Sequence, residues 1–266
     1  MNVLNNEKSL LRLCAEAESI AVSGGDSTLN YFKKPFSLEF KEDQSPVTEA
    51  DKEAELIIRD AIRTKFPEHG IIGEEFGNEG ENSDVVWVID PIDGTQSFIH
   101  GIPIYTTLIG ILIENEPKIG VIYAPALQEM VSAAAGSGAN LNGKTCRVRD
   151  CNEIERSTFL STDIMNIKKS GFEKPYMELL EASRIHRTWG DAYGHLMVAT
   201  GRADIMFDPI LHIWDAAPLL PIVTEAGGAF TDVAGKETIK SGNAISCSAG
   251  LHEIVIKAFK KIEQNE

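Results

Sequence analysis

Two aspartates flank a proline in the stretch Trp87-Val88-Ile89-Asp90-Pro91-Ile92-Asp93-Gly94-Thr95. Two carboxylates on a stiff turn can share a hard divalent cation, which takes oxygen ligands. The amides of Gly94 and Thr95 follow at what reads as a helix start, where backbone N–H groups can hold phosphate oxygens. Metal carboxylates beside a phosphate cradle point to a metal-dependent phosphoryl site. The same residues also satisfy a plainer reading, a strand, a Pro turn and an Asp-capped helix, because Asp, Pro and Gly are ordinary turn residues. The apolar run 85–89 delivers Asp90 to its end, and Pro91 is expected to stop sheet pairing there.

Other acids stand at element ends. In Ser45-Pro46-Val47-Thr48-Glu49-Ala50-Asp51, Thr48 is a good helix N-cap and Asp51 completes a pair like a capping box. A carboxylate in a first helical turn is favoured by the dipole in any case, so Asp51 reads as a cap or as a site residue. Ile71-Ile72-Gly73-Glu74-Glu75 reads as a short strand ending in paired acids, close before the strand that ends in Asp90. Neighbouring strand ends can bring Glu74 and Asp90 together. Asp215, in His212-Ile213-Trp214-Asp215, opens another helix and taken alone reads as a plain N-cap.

Composition bounds the chemistry. The chain has 266 residues, of which 43% are hydrophobic and 24% charged, as in an ordinary soluble globular protein with a substantial core. A formal net charge of -15 argues against binding a nucleic-acid backbone, which needs clustered Lys and Arg. It also conflicts with an anionic substrate, a conflict that bound cations would resolve by inverting the local field. The four cysteines form no CxxC pair and read as reduced thiols. The six histidines are scattered and show no zinc pattern. No segment is long and apolar enough to span a membrane, and residues 1–7 lack the order of a signal peptide. A cytoplasmic protein is expected.

The elements that must position these acids follow from periodicity. Leu10, Leu13, Cys14, Ala17, Ile20 and Ala21 recur on one face of a first helix, which Gly24-Gly25 should end. Residues 31–40 mix basic and aromatic side chains and read as part strand, part loop. Ala54, Ile57, Ile58, Ala61 and Ile62 give the helix after Thr48 its buried stripe, and Pro67 closes it. Residues 77–84 read as a surface loop. After Thr95, strands are expected at 105–113, 118–123 and 129–135, with a turn at Asn115-Glu116-Pro117 and a loop over 136–144 that contains an Asn142-Gly143 turn. A polar stretch near 146–157 divides the chain into an N-terminal half, 1–150, and a C-terminal half, 151–266. Strands and helices then alternate: strand 158–161, helix 173–182, a short strand near 184–186, a helix from Gly190 through Thr200 and strand 203–207. They continue with a helix from Asp215 that Gly227-Gly228 caps and Pro221 should distort, strand 244–248 and helix 251–262.

With these acids in place, the chain resembles the inositol monophosphatase family of magnesium-dependent, often lithium-sensitive phosphomonoesterases. The resemblance rests on Trp87 to Thr95, on Trp214-Asp215 followed by Glu225-Ala226-Gly227-Gly228, on Gly73-Glu74-Glu75 and on Val47-Thr48-x-x-Asp51, in order and at suitable spacing over residues 8–260. It implies an α+β fold, a layered αβαβα sandwich with the active site between the two halves, and commonly a homodimer. By the same resemblance Glu74, Asp90 and the Ile92 carbonyl hold one Mg²⁺, Asp90, Asp93 and Asp215 a second, and Glu74 helps to place a weaker third through water. Asp51 and Thr95 orient the attacking water, and the Gly94 and Thr95 amides receive the phosphate of a small-molecule monoester. No nucleic acid or membrane partner is implied. All these ligands are oxygens, as Mg²⁺ prefers.

Within the family, Arg187-Thr188-Trp189-Gly190-Asp191-Ala192-Tyr193-Gly194 and Asp208-Pro209 look more like the histidinol-phosphate phosphatase branch than the inositol-specific one. Gly190, Asp191, Ala192 and Asp208 are then substrate-side residues, with Asp93 and Asp215 completing the pocket. Extra carboxylates suit a substrate that carries an ammonium group and an imidazole. Asp191 also reads as a simple cap of the helix after Gly190. The alternatives are an inositol-1-monophosphatase and a non-catalytic, cation-dependent binding protein of the same fold.

Overall fold

The computed structural model describes residues 6–40 and 46–260. Residues 1–5, Ser45 and the end of the last expected helix, Lys261-Ile262, lie outside them. Helix α1 (Glu7–Thr28) begins at Asn6, whose side chain accepts the Ser9 amide, and it buries the expected stripe from Leu10 to Ala21. It does not stop at Gly24-Gly25. A Cβ on Gly24 would meet Ile58 at 2.5 Å, and one on Gly25 would meet the Tyr123 ring at 2.6 Å. The two glycines serve close packing inside the helix, not its termination. Strands β1 (Leu38–Phe40) and β2 (Pro46–Thr48) pair antiparallel and lead into α2 (Glu49–Lys65), where Thr48 and Asp51 form a complete capping box.

Strands β3 (Gly70–Gly73), β4 (Gly77–Glu79), β5 (Val85–Asp93), β6 (Thr106–Ile113), β7 (Glu116–Ala124), β8 (Glu129–Ala134), β9 (Ala139–Leu141) and β10 (Lys144–Cys146) build an eight-stranded sheet in the order β10-β9-β8-β7-β6-β5-β3-β4. Helix α3 (Thr95–Ile99) lies between β5 and β6 in sequence. Every pair is antiparallel except β3 with β5.

Several sequence expectations are corrected here. Part of the loop expected over 77–84 is strand β4, paired to β3. The turn before β7 falls at Glu114-Asn115, both with positive φ (53° and 65°), as a two-residue turn matched to strand twist requires. Glu116 and Pro117 therefore belong to β7. The loop expected over 136–144 contains β9 and the start of β10, joined through the Asn142-Gly143 turn.

The C-terminal residues add β11 (Thr158–Ser161), α4 (Ile164–Lys169), α5 (Glu173–Ala182), β12 (Ile185–Arg187), α6 (Asp191–Ala199), β13 (Ile205–Asp208), α7 (Ile213–Glu225), β14 (Gly228–Thr231), β15 (Ala244–Ser248) and α8 (His252–Lys260). Their five strands form a mixed sheet in the order β12-β11-β13-β15-β14. Helix α4 and strand β14 are too short for periodicity to reveal them. Helix α7 runs to Glu225 through both Pro218 and Pro221. Burial of Ala217, Leu219, Ile222 and Val223 offsets the backbone bonds that the prolines remove.

The layers follow from which faces are apolar. Along β5, Val85, Trp87 and Ile89 pack on α1 and α2, while Val86 and Val88 face α6 and α7. A strand buried on both faces has no polar alternation, hence its continuous apolar run. The second sheet packs its outer face, through Phe159, Ile205, Phe207 and Ile245, on α4, α5 and α8. Helix, sheet, helix, sheet and helix thus stack as a layered α+β sandwich.

Candidate active site

The even-numbered face of β5 runs Val86, Val88, Asp90, so the first carboxylate emerges toward the helical layer between the sheets. Asp90 Oδ1 accepts the Ile92 amide at 3.0 Å, a side-chain turn that folds the chain at Pro91. The expected stop at Pro91 does not occur. The register with β6 shifts between Asp90 and Asp93, and pairing resumes at Asp93 opposite Thr106. The irregularity accommodates a residue without an N–H, and such bulges re-aim side chains. Asp93 is thereby brought to Asp90.

Three further element ends meet this bulge. Helix α7 presents Asp215, whose Oδ2 accepts the His212 amide at 2.7 Å; it is the third residue of the helix and bonds back to its cap, so it is not the N-cap itself. Oxygens of Asp90, Asp93 and Asp215 all lie within 4.8 Å of one another. Two oxygens on opposite sides of one Mg²⁺ stand about 4.2 Å apart, so the cluster has the span of a cation site. Parallel pairing of β3 with β5 sets Gly73 beside Ile89, and the Glu74 amide donates to the Ile89 carbonyl at 3.3 Å. Glu74 reaches Asp90 with its carboxyl group. Asp51, at the start of α2, is near enough to Glu74 to feel its charge; its Oδ2 accepts the Thr48 amide at 2.8 Å and the Thr48 hydroxyl at 2.5 Å. The Thr95 hydroxyl donates to the Ile92 carbonyl at 3.1 Å.

The electrostatics are those of an anionic cluster in want of cations. Burial, then Glu74, Asp93 and Asp215, push the Asp90 carboxyl well above the usual range. Burial, then Asp191 and Asp215, do the same to Asp93. Burial and the neighbouring Glu74 and Asp208 raise Asp215 to about 8, against the opposing His212 hydrogen bond. Burial raises Asp51 to about 6. Like charges so close require protons or cations between them. An all-carboxylate cluster, with no Cys or His in it, suits a hard ion such as magnesium and not a soft one.

The C-terminal residues close the site. Gly94 has φ +78°, and a Cβ there would lie 2.9 Å from Asp191 Oδ2. Glycine therefore both adopts the left-handed conformation and admits the Asp191 carboxylate. Asp191 does not cap α6. The N-cap is Gly190, without a side-chain bond, and Asp191 itself holds φ +53°. The Ala192 amide is bonded to Asp93, at 2.8 Å, and Gly190 packs against Thr162. Asp208 is only 3% exposed; its Oδ1 accepts the Thr162 hydroxyl and its Oδ2 lies 3.0 Å from His195 Nε2. A cleft of about 190 Å³ is lined by Asp93, Thr162, Asp191, Asp208, Ile210 and Asp215, among others.

Thr162 and His195 escape the sequence reading. Thr162 reaches the site only through the pairing of β11 with β13, which has no local signature. His195 is fully buried on a helix whose other buried residues are Ala192, Tyr193, Gly194, Leu196, Val198 and Ala199, and a polar residue on an apolar face is the one signal that could have marked it.

Carboxylates gathered where two sheets share a helical layer define a layered α+β phosphatase, a phosphoric monoester hydrolase. The chain belongs to the inositol monophosphatase family, which it matches over residues 11–264. It is similar to a histidinol-phosphatase of Chlorobaculum parvum, with 41% identity over 86% of this chain and 89% of the relative. A fructose-1,6-bisphosphatase/inositol-1-monophosphatase of Thermotoga maritima is 36% identical over 81% of this chain and 83% of its own. Among solved structures, the extragenic suppressor protein suhB of Bartonella henselae superposes with a TM-score of 0.88 at 28% identity, covering 94% of this chain and 99% of that one.

Proposed function

We propose that this phosphatase hydrolyses histidinol phosphate to histidinol and phosphate with Mg²⁺ as its cofactor. The observation that carries the reading is the place of Asp191. Its carboxylate stands over Gly94, where the phosphate is to be held, and it is not spent on capping α6. A substrate with an ammonium group near its phosphate would meet that carboxylate in a charge-assisted hydrogen bond. A neutral polyol offers only hydroxyls there. The 41% identical histidinol-phosphatase supports the same choice, and the Thermotoga maritima relative keeps inositol 1-phosphate as the second reading.

In this proposal Glu74, Asp90 and the Ile92 carbonyl hold one ion, Asp90, Asp93 and Asp215 a second, and Glu74 helps with a third. When bound, the ions neutralise the phosphate dianion, acidify water and stabilise the leaving oxygen. Asp51 and Thr95 orient the attacking water. Thr48 holds Asp51 from behind, and the Thr95 hydroxyl is anchored on the Ile92 carbonyl. The Gly94 and Thr95 amides, at a helix start that leaves its first N–H groups without intrahelical partners, receive phosphate oxygens. Asp208 acts at one remove: through Thr162, which accepts the Asp191 amide at 2.8 Å, it fixes the start of α6, where Asp191 stands.

The test is a kcat/KM comparison of histidinol phosphate with inositol 1-phosphate, with Mg²⁺ and with EDTA. Higher kcat/KM for histidinol phosphate, abolished by EDTA, is the expected result. A preference for inositol 1-phosphate would overturn the substrate assignment.

A further inference from the structure

Asp51, Glu55 and Arg59 stand at i, i+4 and i+8 on α2 and therefore share one face. All three are at most 1% exposed. Such a charged stripe, set among Ala54, Ile58 and Ile62, costs a large desolvation energy unless its groups are bonded. Glu55 Oε1 accepts Arg59 Nε at 2.7 Å and the Phe76 amide at 3.1 Å, while Oε2 accepts the Glu75 amide at 2.8 Å. Arg59 goes on to donate to the Gly77 carbonyl and, at 2.7 Å, to Glu79 Oε1. Gly73 passes so close that any Cβ there would overlap Glu55 and Arg59.

The stripe grips the backbone on the C-terminal side of Glu74. On the other side, β3 pairs with β5 and the Glu74 amide bonds to Ile89. Glu74 is held between these two fixtures, and the helix that supplies one of them also carries Asp51. A carboxylate that must stay beside other carboxylates tends to swing away before cations arrive. A backbone fastened at both flanks limits that motion.

We propose that Glu55 and Arg59 are positioning residues: they make α2 a spacer that fixes Glu74 against Asp51 and Asp90, so that the Mg²⁺ site is formed before the ion binds. The inference rests on the reading of Glu74 as a magnesium ligand. Neither residue touches substrate or ion; both act through the Glu74 backbone.

The test is calorimetric titration of Mg²⁺ into wild type, Glu55→Gln and Glu79→Ala, on samples shown to be folded, with hydrogen exchange read at the Glu75 and Phe76 amides. Glu55→Gln should weaken Mg²⁺ binding about tenfold, as loss of a supporting partner does elsewhere, and speed exchange at both amides. Glu79→Ala removes only the exposed end of the network and keeps the buried pair, so it remains folded. It should weaken binding about threefold, because Arg59 keeps Glu55 and the Gly77 carbonyl and loses only its half-exposed partner. A purely structural role would lower the melting temperature and leave the Mg²⁺ affinity of the folded protein unchanged. That result in Glu79→Ala, or in folded Glu55→Gln, overturns the inference alone. Wild type that takes up no Mg²⁺ overturns the reading of the site and this inference with it.

Discussion

The Asp93 carboxylate accepts the Ala192 amide at 2.8 Å, so the end of β5 is tied directly to the first turn of α6. The same oxygen, Oδ2, accepts the Thr106 hydroxyl at 3.1 Å. One oxygen of Asp93 thus works for the fold, and the other is left for a cation. Asp93→Asn can keep both bonds through its amide oxygen while losing the charge. We expect it to fold normally, to lose Mg²⁺ affinity and to fall in kcat by ~100-fold or more, beyond what the loss of a supporting partner costs. Asp215→Asn, whose oxygen can still accept the His212 amide, should behave alike. Melting curves with EDTA, calorimetry and a phosphate-release assay check this. Activity within a fewfold of wild type at low Mg²⁺ would refute the assignment of either residue.

Thr95 separates two roles. Its hydroxyl donates to the Ile92 carbonyl, the group proposed as a ligand, yet its own proposed task is to orient water. Thr95→Ala should therefore lower kcat with little change in Mg²⁺ affinity. Calorimetry on the variant decides: a lost metal site would mean that the hydroxyl serves to hold the carbonyl and not the water.

The raised carboxyl groups make metal-free stability depend on pH. From 3.8, Asp51 rises to about 6, Asp191 to about 7 and Asp215 to about 8, mainly through burial, and Asp90 and Asp93 move the same way. In that window the folded protein binds more protons than the unfolded chain, so stability falls as pH rises. Their contribution is present below about 3.8 and is lost as pH climbs through 6 to 8. Burial lowers His69, His186 and His252, which gives the opposite slope, but these bond to Trp87, Tyr176 and Thr231 and not to the cluster. The difference in melting temperature between Mg²⁺ and EDTA removes their effect. It should be small at pH 5.5 and reach roughly 5–10 °C at pH 8, the shift that a few kcal/mol produces in a chain of this size. A difference that does not vary with pH would contradict the carboxylate cluster as the ion site.

The parts of the site legible in the sequence are those written in local chemistry. Asp90-Pro91-Ile92-Asp93 announces a turn between two acids, and Thr48-x-x-Asp51 announces a helix start; both turns are where expected. What is hidden depends on contacts between distant segments. Gly24-Gly25 looks like a helix stop because a capping glycine and a packing glycine are the same residue in sequence, and only the approach of Ile58 and Tyr123 distinguishes them. Pro91 looks like the end of a strand because its missing N–H is visible and the bulge that absorbs it is not. Asp208 reads as a substrate-side carboxylate, and nothing near it in sequence shows that β11 brings Thr162 to it and α6 brings His195.

Asp191 offers the sharpest test of substrate choice. Its φ of +53° is tolerated by Asp and Asn more readily than by other side chains, so Asp191→Asn removes the charge while preserving backbone and shape. Serine at this position would add backbone strain to the change in chemistry. If the carboxylate faces a substrate ammonium, the variant loses a charge-assisted hydrogen bond of about 1.5–3 kcal/mol, roughly ten- to a hundredfold in kcat/KM for histidinol phosphate. Glycerol 2-phosphate carries no ammonium, so its kcat/KM should hold within about threefold, or rise slightly as a negative charge leaves the phosphate's surroundings. Both substrates are assayed at saturating Mg²⁺, because Asp191 lies outside the cluster of Asp90, Asp93 and Asp215 but its charge bears on Asp93, so its loss shifts Mg²⁺ affinity. Equal losses on both substrates would mean that Asp191 serves the loop before α6 and not the ligand, and the histidinol phosphate preference would then have to come from another residue.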